Sequence, residues 1–367
     1  MRNPFKKKLD AYQKGELSEE EEREIEADLD KLESYQEYFQ AEMEEERDSS
    51  TSKKWVKRGI WKARFQNAWT ALSLLILLML VLWFGNALFY LSGSPSKQQQ
   101  YIDTIKATVS TTMPNMELRS THGNSGYTRL EIEGELTKRV GHESKDFGNV
   151  SASFLLGNAT VETPDNLQDE PFFVYPEHKS IYEQKDGVDR LTNLPEGTVS
   201  EVYVSFDTYF STKEIMDKME KMNNADPVWF AVDTGVDVHN PENGPGDPLG
   251  FPYYGGVMEF HDYDEPWKDF ESTNERSYSM GGSEDAEMRN EQFIKMLELM
   301  NSHFSLARDV NVWLKEDKLE EDIAYVKENG VRIYGMVVTG PTKELLSLTE
   351  EEWIHSIAVG EVELWNW

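Results

Sequence analysis

The chain has 367 residues, with 37 Lys and Arg against 68 Asp and Glu, a net charge of -31 at pH 7, and no cysteine. That length suits one sizeable folded domain with attachments, or two domains. The acidity disfavours direct nucleic-acid binding through phosphate attraction, and the missing cysteine excludes a disulfide scaffold, cysteine-ligated zinc and thiol catalysis.

Charge divides the chain into four blocks. Residues 1–52 carry 8 basic and 17 acidic groups, and residues 53–67 carry 6 basic groups and no acidic ones. Residues 68–91 carry no charge, and residues 92–367 carry 23 basic and 51 acidic groups.

A first helix is predicted from Pro4, with Phe5, Leu9 and Tyr12 on one face and Gly15 as its stop. Ser18 and Glu21 form a capping box for a second helix. That helix carries Ile25, Leu29, Leu32 and Phe39 at helical spacings, with Tyr35 and Tyr38 nearby. Its acidic first turns suit the helix dipole. Two short helices bury little surface, so the apolar stripe is expected to meet another protein or a second copy of itself. A polar coiled stalk is the plainer alternative.

Residues 68–91, AWTALSLLILLMLVLWFGNALFYL, form an uncharged run. A hydrocarbon core of about 30 Å needs about 20 helical residues, so the run predicts a membrane span. Trp69 lies at one end and Trp83, Phe84 and Tyr90 towards the other, where aromatic rings suit the two interfaces. Lys53, Lys54, Lys57, Arg58, Lys62 and Arg64 precede it, whereas SGSPSKQQQ follows it. Positive charge stays inside, which predicts a cytoplasmic N-terminal part, an exterior C-terminal part and an uncleaved signal anchor.

The exterior part is predicted as a mixed α+β domain from Tyr101 onward, after a short linker at 92–100. TVSEVYVSF reads as a strand in which Val202, Val204 and Phe206 alternate with Tyr203 and Ser205. TKEIMDKMEKM follows as a helix and DPVWFAV as a strand. Near the end come a helix stopped by Gly330, the strand VRIYGMVV, a short helix PTKELLSL and a last strand IAVGEVELW. YVSFDTYFSTKEIM and YGMVVTGPTKELL echo one another, with Thr212 and Thr342 in the same place, which raises two units of similar α/β build. HNPENGPGDPLGFPYYGG at 239–256 is expected to be a long loop. His261, Asp262 and Asp264, with Asp233, are the nearest thing to a cation site, but their spacing is not diagnostic of a ligand set. There is no nucleophile elbow, no HExxH and no P-loop, so neither enzymatic activity nor a cofactor is expected.

Leu9, Tyr12, Gly15, Glu16, Leu17, Ser18 and Glu21, followed by an acidic helix, resemble the cytoplasmic domain of bacterial anti-sigma factors. The zinc-bearing branch of that group has a His-x3-Cys-x2-Cys set where this chain has Asp28, Leu32 and Tyr35, so that zinc site is ruled out. The N-terminal helices, basic stretch and single span, with VRIYGMVVTGPTKELLSL and HSIAVGEVELWNW, resemble a Bacillus-type transmembrane sigma factor regulator. That family restrains the sigma-M class of extracytoplasmic-function sigma factors. The resemblance implies a helical sigma-binding domain at 1–50, a basic juxtamembrane linker at 51–67, a transmembrane helix at 68–91 and an extracytoplasmic regulator or sensor domain at 101–367. It implies sequestration of the sigma factor until an envelope signal relieves binding. It admits a small membrane protein as co-regulator, and the bilayer as a further partner. Candidate contacts are Leu9, Tyr12, Leu17, Ile25, Leu29, Leu32 and Tyr35, some of which must instead pack the helical hairpin. An envelope adaptor or structural protein, binding another protein or a cell-wall ligand from outside, is the alternative function.

Overall fold

The two N-terminal helices begin and end where local chemistry dictates. This computed structural model describes residues 4–47, 50–164, 173–178, 186–222, 225–235, 247–253 and 286–365. Helix α1 (Pro4–Gln13) ends in a Schellman arrangement. Gly15 stands at φ +67°, its N–H donates to the Tyr12 carbonyl, and Glu16 N–H donates to the Ala11 carbonyl, each at 3.1 Å. Helix α2 (Glu19–Arg47) opens on Ser18, whose N–H and hydroxyl donate to Glu21 Oε2 at 3.3 and 2.8 Å.

Helix α3 (Ser50–Leu91) joins the basic stretch and the apolar run in one 42-residue helix, so residues 51–67 have no conformation of their own as a linker. Its segment Trp55–Leu91 is long and apolar enough to cross a membrane. The chain separates into two compact units, Met1–Leu78 and Met79–Trp367.

In the second unit, residues 92–100 are not a linker throughout. Ser96 caps helix α4 (Lys97–Thr112), its hydroxyl accepting from Gln99 N–H at 3.2 Å, so the Lys-Gln run is the first turn of a helix. Helix α4 lays Ile102, Ile105 and Val109 against an antiparallel meander. The meander runs β1 (Met116–Ser125), β2 (Arg129–Val140), β3 (Glu143–Leu155) and β4 (Asn158–Glu162), in that order. Leu130, Ile132 and Leu136 of β2 and Val150, Ala152 and Phe154 of β3 fill that core, as period-two alternation requires.

The second sheet has five strands: β5 (Thr198–Ser211), β6 (Asp226–Val232), β7 (Gly250–Pro252), β8 (Arg332–Pro341) and β9 (Ile354–Leu364). Their order is β7-β6-β8-β5-β9, and every neighbouring pair is antiparallel. The helices between them are α5 (Asp186–Asn193), α6 (Thr212–Met219), α7 (Ala286–Ser302), α8 (Phe304–Val310), α9 (Glu316–Asn329) and α10 (Thr342–Leu345). On one face Val202, Val204, Phe206, Met336 and Val338 share a core with Ile215 of α6, Phe293 and Leu297 of α7 and Val326 of α9. On the other face Tyr203, Trp229 and Tyr334 meet Phe173 and Tyr175, with Tyr175 stacked on Tyr334 at 4.0 Å. Burial on both faces explains the near-continuous apolar character of β5, β6 and β8.

One expectation changes here. The stretch 239–256 is not wholly loop, because Gly250–Pro252 pairs with Trp229–Ala231 as an edge strand. A Cβ at Gly250 would meet the Phe230 carbonyl oxygen at 2.0 Å, so this close approach needs glycine. The echoing segments are β5–α6 and β8–α10. They lie side by side in one sheet, with Val202 opposite Val338, and Thr212 and Thr342 are both buried at the helix starts.

Candidate functional site

One apolar stripe runs the length of α2. At 100° per residue, Ile25, Leu29, Leu32, Tyr35, Phe39 and Met43 fall on the same side of the helix. Helix α1, with 10 residues, is about 15 Å long, whereas α2, with 29, is about 44 Å long. A short helix can cover only the beginning of the longer one.

Exposure follows that difference. Ile25 is 2% exposed and closes the hairpin. Leu9, Tyr12, Leu17 and Leu29 are half-buried. Leu32 is 46% exposed, Tyr35 64% and Phe39 61%. The seven expected contacts therefore separate into one buried packer, four at the hairpin seam and two open to solvent. Phe39 and Met43 continue the open stripe. Their signal in the sequence is spacing, with Phe39 seven residues after Leu32 and Met43 four after Phe39.

Polar contacts set the register of α1 on α2. Lys8 Nζ lies 3.1 Å from Glu24, and the Tyr12 hydroxyl donates to Glu26 Oε1 at 3.1 Å. The Glu26 carboxylate, by accepting that bond, holds the Tyr12 phenol above its ordinary pKa. Beyond these contacts the hairpin surface is dominated by exposed Glu and Asp.

The proposed cation ligands find other roles or lie elsewhere. Asp233 is fully buried; it accepts from Gly235 N–H at 3.0 Å and from the Tyr325 hydroxyl at 3.1 Å, and it pairs with the Arg332 guanidinium. Its charge is thus matched by a cation of the protein. His261, Asp262 and Asp264 lie outside the described residues. Among the described residues no three His, Asp or Glu side chains converge to hold a metal ion. Beside Asp233, the Tyr209 phenol donates to Glu177 at 2.7 Å, and burial pushes its pKa well above the ordinary value.

Comparison with known proteins bears on these helices and sheets together. Residues 53–145 match the family described as Sigma factor regulator N-terminal, and residues 191–361 match Sigma factor regulator C-terminal. The probable anti-sigma-M factor YhdL of Bacillus subtilis (strain 168) is 30% identical over 382 aligned residues, covering 100% of each chain. The chain belongs to the family of anti-sigma factor regulators. This regulator is an antagonist of a sigma factor. The N-terminal match begins at Lys53 and takes in α3, α4, β1 and β2, whereas the C-terminal match takes in the five-stranded sheet. The α1–α2 hairpin of the regulator precedes both. No solved structure matches it.

Proposed function

We propose that the regulator holds an extracytoplasmic-function sigma factor, of the sigma-M class, on the open stripe of α2. In this reading the hairpin is cytoplasmic, α3 is a single-pass membrane anchor, and residues 92–367 lie outside and sense the envelope. The observation that carries it is the uncovered row Leu32, Tyr35, Phe39 and Met43, with Leu32 nearest the hairpin seam. A stable fold rarely leaves such a row open without a partner, and each side chain contributes about 1.5–3 kcal/mol when fully buried. The acidic groups around it suit a basic partner surface, chiefly by steering encounter. The full-length likeness to a probable anti-sigma-M factor supports the class of partner. The six positive groups before the apolar run support the orientation.

Release follows if the exterior unit has two states with different consequences for the hairpin, since a signal shifts only an equilibrium it binds unequally. A small membrane protein acting as co-regulator is a further partner in this reading. The test is sigma-dependent transcription in cells carrying the full-length Leu32→Gln, Phe39→Gln double variant. Both positions are solvent-exposed, so the hairpin should fold. Derepression at a normal protein level supports the assignment; undiminished repression rejects this face of α2 as the holding surface.

A further inference from the structure

The last turns of α3 are fastened to one end of the meander. Asn86 Nδ2 donates to Ser125 Oγ and the Gly126 carbonyl, each at 3.0 Å, and to the Arg129 carbonyl at 3.2 Å. One turn later the Tyr90 hydroxyl accepts from Gly157 N–H at 3.1 Å. These partners are the tips of the β1–β2 and β3–β4 hairpins, and the tips are adjacent because Arg129 pairs with Leu155.

Length sets their depth. Phe65 is the first residue after Arg64, and Phe65–Gly85 spans about 32 Å at 1.5 Å per residue, which fills a hydrocarbon core of about 30 Å. Asn86 then stands at the outer boundary, and the polar partners it needs are supplied by the hairpin tip. The apolar run therefore does not reach lipid along its whole expected extent of 68–91, since Tyr90 is only 1% exposed.

The tips carry apolar side chains that the fold leaves open. Tyr127 is 59% exposed, Leu155 45% and Leu156 80%, and the neighbouring Arg129 is exposed. Leu156 stands at φ +51° and Gly157 at φ +88°. Positive φ at both central residues of a two-residue turn is the setting in which Asn-Gly is favoured. A branched aliphatic residue there is disfavoured, and at 80% exposure Leu156 gains little packing from the described residues to offset the cost.

We propose that Tyr127 and Leu156 insert into the outer headgroup layer of the bilayer beside the exit of α3, with Arg129 placed at the level of the lipid phosphates. The occupant follows from continuity with the apolar helix and from the interfacial preference of aromatic and basic side chains. The inference rests on the reading of α3 as a membrane helix.

The full chain in lipid nanodiscs tests it, and the absence of cysteine lets single-cysteine variants report one site each. A fluorophore on Thr128→Cys or Asn158→Cys should be quenched by headgroup-level spin-labelled lipid. The same label on His142→Cys, at the opposite end of β2, should be quenched by aqueous iodide. In the Asn158→Cys background, Leu156→Asn should lower the ratio of lipid to iodide quenching by about tenfold. The unfolding midpoint should not fall, because asparagine suits that turn. Iodide access at 128 and 158 equal to that at 142, or access by neither quencher, which would mark a protein cover, overturns the proposal. Ile76→Cys separates the two readings. Lipid quenching there with iodide access at the tips removes only this inference, whereas iodide access at 76 removes the membrane anchor with it.

Discussion

Replacing Glu201 by Gln tests how the two sheets of the second unit are joined. Glu201 of β5 is 0% exposed and Lys138 of β2 2%, with Lys138 Nζ 2.9 Å from Glu201 Oε2. The same carboxylate accepts from Asn115 Nδ2 at 2.7 Å and from Glu361 N–H at 3.2 Å. Gln keeps one acceptor oxygen where the carboxylate has two, and it removes the negative charge. The Lys138 ammonium then faces the rings of Phe147 and Tyr203, at 5.7 and 5.8 Å from their centroids. Such contacts recover at most about 2 kcal/mol, whereas removing one partner of a buried ion pair costs about 3–5 kcal/mol. Glu201→Gln should therefore lower the melting temperature of the full chain in detergent by about 10 °C. Hydrogen exchange should rise first in β2 and β5. The double variant Lys138→Met, Glu201→Gln removes the ammonium whose ion pair has been broken and should regain about 2–3 kcal/mol. If the double variant is no more stable than Glu201→Gln alone, the penalty is not that of breaking this ion pair and the reasoning fails.

Ile25→Ala should cost about 2–4 kcal/mol, the range for deleting a buried aliphatic side chain, and should raise hydrogen exchange across α1 in the full chain. Leu32→Gln, on the exposed stretch, should leave that exchange unchanged. Burial holds the His303 imidazole below its ordinary pKa, with its ring edge-on to Tyr101 at 6.0 Å. The folded state thus favours the neutral ring, so this contribution is fully present above about pH 6.5 and is lost as pH falls from there towards the depressed folded pKa. Unfolding midpoints followed from pH 7.5 to 5 should show the loss, and His303→Phe should flatten it.

Much of this architecture is written in local signals. Gly15, Ser18 with Glu21, and Gly330 act through their own backbone conformations and nearest hydrogen bonds, so their helix ends were legible. The alternation of Val202, Val204 and Phe206 with Tyr203 and Ser205 was also legible, although both sides of β5 proved buried. The meander was not recognised, although Leu130, Ile132 and Leu136 alternate. Glu131, Glu133 and Glu135 lie on the open side of β2 and resemble any acidic surface segment. The start of α4 was hidden in a polar Lys-Gln run whose helical role depends on the Ser96 cap and on the sheet beneath later turns. In the candidate site the stripe itself was visible, but its division was not. Ile25 and Leu32 differ in exposure because α1 ends where it does, a consequence of hairpin geometry rather than residue type.

The most direct test of the account places a photoreactive phenylalanine analogue at Tyr35 of the full-length regulator in living cells. The open stripe predicts that irradiation captures a sigma factor there and not from Glu37, which is exposed on the other side of α2, about 200° round the helix from Tyr35. Capture from Glu37 alone, or no sigma factor from Tyr35 while repression persists, would contradict the claim that this stripe holds the partner.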